Sequence, residues 1–360
     1  MSKNYFIQCI LVLTIFFGCN SVAVELQWNE LPPLPNPDGV AGPVIGVHND
    51  ALIVGGGANF PNEPLWETDK VWHDTIHVLT KSNDGYKWVS GGKLPEPRAY
   101  GSSVSTRQGV VCIGGNDGVN TFDDVILLSW DPDKKVLTQS PMPSLPKPCS
   151  FSSATLVDNV IYLAGGLTDN ELSTAMKNFW ALDLSKANDP KAFKWEVLDP
   201  WPGPERALNI TASQFDGESD GIYVISGRRQ IGEEVEFLTD TYEYQLSSKK
   251  WRKRATTPQP VMAGIGIGWG KNHIFTLGGA SGSLWGQVDI LKDDHPGFPK
   301  VTYGYNTLTD TWSLAGKSPA NHVTTVPVLW DSAIIIPSGE VRPRVRSPKI
   351  WRITPNIQQR

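Results

Sequence analysis

Short apolar runs ending in small residues recur along the chain, separated by polar and proline-containing stretches. The copies are Leu52-Ile53-Val54-Gly55-Gly56, Val111-Cys112-Ile113-Gly114-Gly115 and Ile161-Tyr162-Leu163-Ala164-Gly165-Gly166, then Tyr223-Val224-Ile225-Ser226-Gly227, Ile274-Phe275-Thr276-Leu277-Gly278-Gly279 and Ile334-Ile335-Ile336-Pro337-Ser338-Gly339. Runs of this length, bounded by glycine, read as buried strands. A Pro turn opens the repeats, as in Leu94-Pro95-Glu96-Pro97-Arg98 or Trp201-Pro202-Gly203-Pro204-Glu205-Arg206. A further strand follows the glycines, as in Asp124-Val125-Ile126-Leu127-Leu128 or Thr241-Tyr242-Glu243-Tyr244, and several repeats close on a tryptophan: Trp88, Trp195, Trp251 and Trp312.

The last glycines fall at 56, 115, 166, 227, 279 and 339, giving steps of 59, 51, 61, 52 and 60. A period of roughly 50 residues with four short strands is one blade of a kelch propeller. The prediction is an all-β, six-bladed kelch β-propeller over residues 24–360, because a sandwich would not keep a fixed period. The sixth repeat reaches its third strand at Lys349-Ile350-Trp351-Arg352-Ile353 and then runs out. Its missing outer strand is expected at Leu26-Gln27-Trp28. Pairing these two segments would close the ring and remove the free sheet edges. The 14 tryptophans are then mostly packing between blades rather than a sugar platform.

The first residues read as an export signal over residues 1–23. Lys3 is followed by a mostly apolar stretch from Ile7 to Gly18, and Ser21-Val22-Ala23 offers a small-x-small cleavage site. The expectation is a periplasmic protein, with Cys19 opening lipid attachment at the outer membrane as an alternative and secretion as another. Further along, no apolar stretch is long enough to cross a bilayer. Of four cysteines, Cys9 and Cys19 lie in this segment, leaving Cys112 and Cys149. Export permits a disulfide between them, but spacing alone does not establish one. Cys112 sits inside an apolar strand, which favours a buried thiol.

The balance of 32 basic against 37 acidic residues shows no basic run. Without a Lys/Arg stripe to displace counterions, nucleic acid is excluded as a partner. No Cys/His spacing fits a zinc site.

In a four-stranded blade, the connection after each glycine pair and the one entering the innermost strand open on the same face. Loops after rigid strand ends are where function concentrates. These positions hold Asn59, Asn116, Arg228, Arg229 and Glu340 after the glycines, with Arg98 and Arg206 beside the Pro turns. The long loop over 58–73 adds Trp66, Glu67, Lys70 and Trp72. A mouth rich in cations suits a small anion, since arginine presents a bidentate fork to a carboxylate. Each arginine has a competing reading as the partner of a neighbouring loop acid. Glu340 directly follows the last glycine of the sixth copy and is itself followed by Arg342, Arg344 and Arg346. A carboxylate in that setting is either a structural ion pair or a general base.

The segments Pro37-Asp38-Gly39-Val40-Ala41-Gly42 and Asn49-Asp50-Ala51-Leu52-Ile53-Val54-Gly55-Gly56-Gly57-Ala58-Asn59-Phe60, with Arg98-Ala99-Tyr100-Gly101 and the 339–346 loop, resemble the kelch-type N-acetylneuraminate epimerases (sialic acid mutarotases). The resemblance spans essentially the whole chain after the export signal but in shifted order, as in a cyclically permuted branch. It implies that Glu340 is the base and that Arg346, six positions on, is its catalytic partner. The resemblance carries over Arg98 on the Arg-Ala-Tyr-Gly match and Arg206 more weakly, because Glu205 intervenes, while Asn59, Trp66, Lys70 and Arg228 are candidate substrate-binding residues from their places at the mouth. Glu340 would take the anomeric hydroxyl proton and Arg346 would hold the sugar carboxylate. General acid–base catalysis contributes roughly 10²–10⁴-fold, so no metal or organic cofactor is required. Rival readings are a non-catalytic kelch interaction or carbohydrate-binding module and a sialidase-like hydrolase. The single Asp-box-like stretch Ser82-Asn83-Asp84-Gly85-Tyr86-Lys87-Trp88 reads better as a hairpin turn.

Overall fold

The computed structural model describes residues 24–320 and 322–357. The expected export signal over 1–23, and with it Cys19, lies outside the described residues.

Six four-stranded antiparallel sheets are arranged as the repeats predict. Blade 1 runs Val44–His48, Ala51–Gly55, Thr75–Ser82, Gly85–Lys93, from the inner strand outward. Blades 2 to 5 start at the inner strands Ser102–Ser105, Ser153–Val157, Ile210–Phe215 and Ile265–Trp269. Blade 6 takes Val328–Trp330, Ala333–Pro337 and Ile350–Ile357 from one end of the chain and Val24–Leu31 from the other. The closing pair is antiparallel, with Trp28 opposite Ile353 and Leu31 opposite Ile350. The Ser82 stretch is a hairpin, Ser82 pairing with Gly85 across Asn83-Asp84.

A sheet buried on both faces needs apolar residues at every position of its second strand. That is why the glycine-terminated runs are the most buried strands, as in Ala51–Gly55 and Ala333–Pro337. The core is accordingly six layers, each between neighbouring blades: Ile53 and Val78 pack with Cys112 and Trp130 across blades 1 and 2, and Leu52 and Leu79 with Ile335 across blades 1 and 6. The closing tryptophans serve these seams. Trp88, Trp195, Trp251 and Trp312 donate their indole N–H to the backbone oxygens of Pro32, Pro143, Asp199 and Ala255, at 3.3, 2.9, 2.7 and 2.9 Å. Each acceptor follows the outer strand of the preceding blade, so each indole ties two blades together.

A second tie closes around the axis. Gly42, Tyr100, Phe151, Leu208, Ala263 and Thr324, one per blade, all have positive φ between 54° and 64°. Each backbone N–H donates to the carbonyl of its counterpart one blade back, Gly42 to Thr324 at 2.6 Å and Tyr100 to Gly42 at 2.8 Å, through to Thr324 to Ala263 at 2.9 Å. The result is a closed ring of six hydrogen bonds. Left-handed backbone costs a non-glycine residue about 1–2 kcal/mol, and the ring bonds satisfy backbone groups that would otherwise be buried unpaired.

Cys112 and Cys149 are buried free thiols rather than a disulfide. Burial pushes Cys112 up to about 11 and Cys149 up to about 12, which keeps both protonated and unreactive. Among the described residues, no helix is long and apolar enough to cross a membrane.

Candidate functional site

The ring of six divides the axis into two cavities, because Tyr100, Phe151, Leu208, Ala263 and Thr324 line both. The one between the inner strands, about 410 Å³, is lined by glycines, hydroxyls and aliphatics and contains no charged side chain. Its hydroxyls are engaged between blades, as where Ser103 Oγ bonds both Ile45 N and Ile45 O. The other, about 400 Å³, lies on the face of the post-glycine loops and is walled by Lys70, Arg228, Glu340, Arg344 and Arg346 with Phe237, Trp285 and Phe298. That size suits a small molecule.

Glu340 and Arg346 belong to a two-stranded ribbon, Glu340–Arg342 paired with Val345–Arg346. Glu340 stands directly opposite Arg346 in its register, which is the physical meaning of the six-residue spacing. The turn is made by Pro343 and by Arg344, whose φ is 66°. Glu340 Oε1 accepts from Arg346 Nη1 at 3.0 Å and from the Arg344 backbone N–H at 3.0 Å. Its Oε2 has no partner among the described residues, which leaves one carboxylate oxygen free to take a proton. Arg346 is committed more deeply. Its side chain is 3% exposed, its Nε donates to Ala58 O at 3.3 Å, and its guanidinium lies over the Phe60 ring.

Two other cations are uncommitted. Arg228 has no carboxylate partner among the described residues, its Nε is buried without an acceptor, and its guanidinium stacks 4.9 Å from the Trp285 ring centroid. Burial alone pulls its pKa below the ordinary guanidinium value. Lys70 likewise lacks an acidic partner and sits among three rings, Phe60, Trp72 and Tyr100, at 5.3–5.8 Å from their centroids.

The remaining expected site residues are placed elsewhere. Arg98 is fully buried, bonding Asp124 at 2.8 Å, Glu96 at 2.9 Å and Gly114 O at 3.2 Å. Arg206 is fully buried too, forked onto Asp240 at 2.7 and 2.9 Å and bonded to Ser226 O at 2.9 Å. Each fastens the loop entering an inner strand to the next two strands of its own blade, and neither lines the cavity. On this geometry the fork that suits a sugar carboxylate is already engaged by a protein carboxylate. Asn59 is also buried, donating to Gly39 O at 2.9 Å and bonding His73 Nε2 through Oδ1 at 2.7 Å. Trp66 stands at the rim, donating to Asp293 Oδ1 at 3.2 Å. Arg229 pairs with Glu205 and Glu236, and Asn116 accepts from Trp72 Nε1.

These placements make Arg206→Met informative. Removing one partner of a buried pair costs about 3–5 kcal/mol, so the melting temperature should fall by many degrees while ligand affinity per folded molecule is retained. Calorimetry showing lost affinity at unchanged stability would return Arg206 to the binding site.

The sequence reading missed the segment over 278–300, which supplies Trp285, His295 and Phe298 to the cavity. Its signal was length: 23 residues separate His273–Leu277 from Val301–Asn306, where blade 2 uses 11 between Val110–Ile113 and Val125–Asp131.

Comparison with known proteins agrees with this architecture. The solved structure of YjhT superposes with a TM-score of 0.67 over 91% of this chain and 99% of that one, at 16% identity, a likeness of fold. Curated relatives named N-acetylneuraminate epimerase match over part of their length. The protein of Yersinia enterocolitica is 35% identical over 130 residues, covering 31% of each chain. That of Haemophilus influenzae is 37% identical over 128 residues, covering 31% of this chain and 33% of its own. That of Escherichia coli is 35% identical over 123 residues, covering 32% and 33%. The matched region thus spans about a third of the length of these relatives. The family model described as the KLHDC2/KLHL20/DRC7 Kelch-repeats domain matches residues 42–279, more than half of the chain. With six four-stranded blades, a glycine-closed second strand in each and that match, the chain belongs to the kelch-repeat family.

Proposed function

We propose that this protein is a mutarotase that interconverts the α and β anomers of N-acetylneuraminate. The observation that carries the reading is one cavity holding a half-free carboxylate, Glu340, together with Arg228, a half-buried cation with no carboxylate partner among the described residues. The Nε of Arg228 has no acceptor among the described residues, and a ligand carboxylate would supply one through a bidentate pair. Glu340 Oε2 would accept the anomeric hydroxyl proton, the ring C–O bond would open, and the keto form would rotate and reclose on its other face. Arg346, packed and hydrogen-bonded, would orient Glu340 rather than hold the sugar. Arg228 takes the role of carboxylate anchor, with Lys70 a second cation on the wall.

The partial matches to N-acetylneuraminate epimerases support this reading. A collinear match confined to a third of the chain is also what a shifted starting point around a closed ring would produce.

The direct test follows anomer exchange of N-acetylneuraminate by NMR. Exchange accelerated above the buffer rate supports the enzyme, and binding without acceleration would leave a carbohydrate-binding module. Arg228→Met should weaken N-acetylneuraminate binding about tenfold or more, since a hydrogen bond to a charged group contributes about 1.5–3 kcal/mol. N-acetylmannosamine, which lacks the carboxylate, should bind poorly to both proteins. Equal calorimetric affinity for the two sugars would overturn the carboxylate anchor.

A further inference from the structure

Opening the sugar ring requires more than a base. When Glu340 takes the anomeric proton, the O–H electron pair becomes the carbonyl bond. The ring C–O bond breaks, and its electron pair lands on the ring oxygen. A hydrogen-bond donor at that oxygen would stabilise the charge.

His295 lines the same cavity and is 6% exposed. Its Nδ1 accepts a hydrogen bond from the Gly297 backbone N–H at 3.0 Å, which places the imidazole proton on Nε2. The segment just before it is anchored from two sides. Asp293 accepts from Trp66 Nε1 at 3.2 Å and from Arg342 Nη2 at 2.8 Å, and its backbone oxygen accepts from Arg342 Nη1. Phe298 stands edge-on to the ring at 6.3 Å. Tautomer and position are therefore set before any ligand arrives.

We infer that His295 is a further catalytic residue of the reaction proposed above: as a neutral imidazole it donates Nε2–H to the sugar's ring oxygen and stabilises the charge that develops as the ring opens. The inference rests on the mutarotase reading. A charged imidazole does not fit, because an Nδ1 proton would point at the Gly297 N–H and lose that bond. The surroundings act the same way. Burial and the Arg342 charge lower the pKa of His295, against an opposing pull from Glu340 on the same ribbon; Lys292, Asp293 and Asp294 are the charges on its own segment. His295 donates a hydrogen bond and transfers no proton. Water protonates the ring oxygen once the ring is open and takes that proton back on reclosure, while Glu340 returns its own proton to the carbonyl oxygen. A neutral imidazole acting as a hydrogen-bond electrophile is established chemistry for carbonyl reactions.

The experiment measures anomer exchange, N-acetylneuraminate affinity and imidazole ¹⁵N spectra on the full chain. His295→Phe should slow exchange about 10- to 100-fold, at or just below the loss seen on removing one oxyanion donor elsewhere, with affinity changed less than about threefold on the same argument that the bond strengthens only as charge develops. His295→Gln, which restores an N–H donor, should recover part of the rate. In the parent, the His295 signals should report an Nε2–H tautomer near neutral pH, and saturating N-acetylneuraminate should shift Nε2. His295→Phe exchanging at the parent rate overturns this role alone, as does an Nδ1–H tautomer or an Nε2 signal that saturating sugar leaves unmoved. A parent protein without accelerated exchange overturns the mutarotase reading and this role with it.

Discussion

Glu340→Gln is expected to slow anomer exchange by about 10²–10⁴-fold, the loss that follows removal of a general base. The amide is nearly the size of the carboxylate, and its oxygen can still accept from Arg346 Nη1 and the Arg344 N–H, so the ribbon keeps its geometry. What changes is the second oxygen, which becomes an NH₂ group unable to accept a proton. The substitution also leaves the Arg346 guanidinium, 3% exposed, without its counter-charge. Some loss of stability is therefore expected, up to the roughly 3–5 kcal/mol of a broken buried pair. Exchange rate and melting temperature must be read on one preparation, at a temperature where the variant is folded. A folded variant exchanging at the parent rate would remove Glu340 from the mechanism and leave it an ion-pair partner of its ribbon.

Deleting residues 24–31 is expected to abolish the cooperative fold at ordinary temperatures. This strand pairs along all eight of its residues with Ile350–Ile357 and supplies the outer edge of blade 6. Leu26 and Trp28 pack against the layer of Ile334, Ile336 and Trp351, Trp28 edge-on to Trp351 at 5.9 Å, while Leu31 joins the layer of Ile45 and Ile335. Leu31 is buried and Leu26 and Trp28 partly so. Full burial of a large apolar side chain contributes about 1.5–3 kcal/mol, so together they are a sizeable share of the roughly 5–15 kcal/mol that holds a domain together. Removal also exposes an unpaired strand, so aggregation should accompany the loss. A synthetic peptide of residues 24–31 added to the truncated chain should restore part of the melting transition. A truncated protein that melts like the parent would show that ring closure rests on the inner strands and the axial hydrogen-bond ring instead.

Local chemistry made the scaffold legible. Period, glycine-closed runs and Pro turns depend on residues a few positions apart, and they recover six blades and the joining of the two ends. The Glu340–Arg346 spacing came from the family resemblance, and only the fold makes those two residues cross-strand neighbours about one turn. The occupation of the other site residues was not local. Arg98 and Arg206 looked like ligand arginines until Asp124 and Asp240, 26 and 34 positions further on, filled their forks. Arg228, placed after a glycine rather than beside a Pro turn, met the Trp285 ring and no acid among the described residues, and so remained available to an anion. His295 carries no motif, and it reaches the cavity because Trp66 and Arg342, distant in sequence, hold Asp293. The sequence by itself determined the blades and their closure, because the backbone period fixes how many strands each blade needs and shows that the two ends must share the sixth. Only the tertiary structure decided which cations stay unpaired, because charge neutralisation acts through space between segments that the chain order keeps apart.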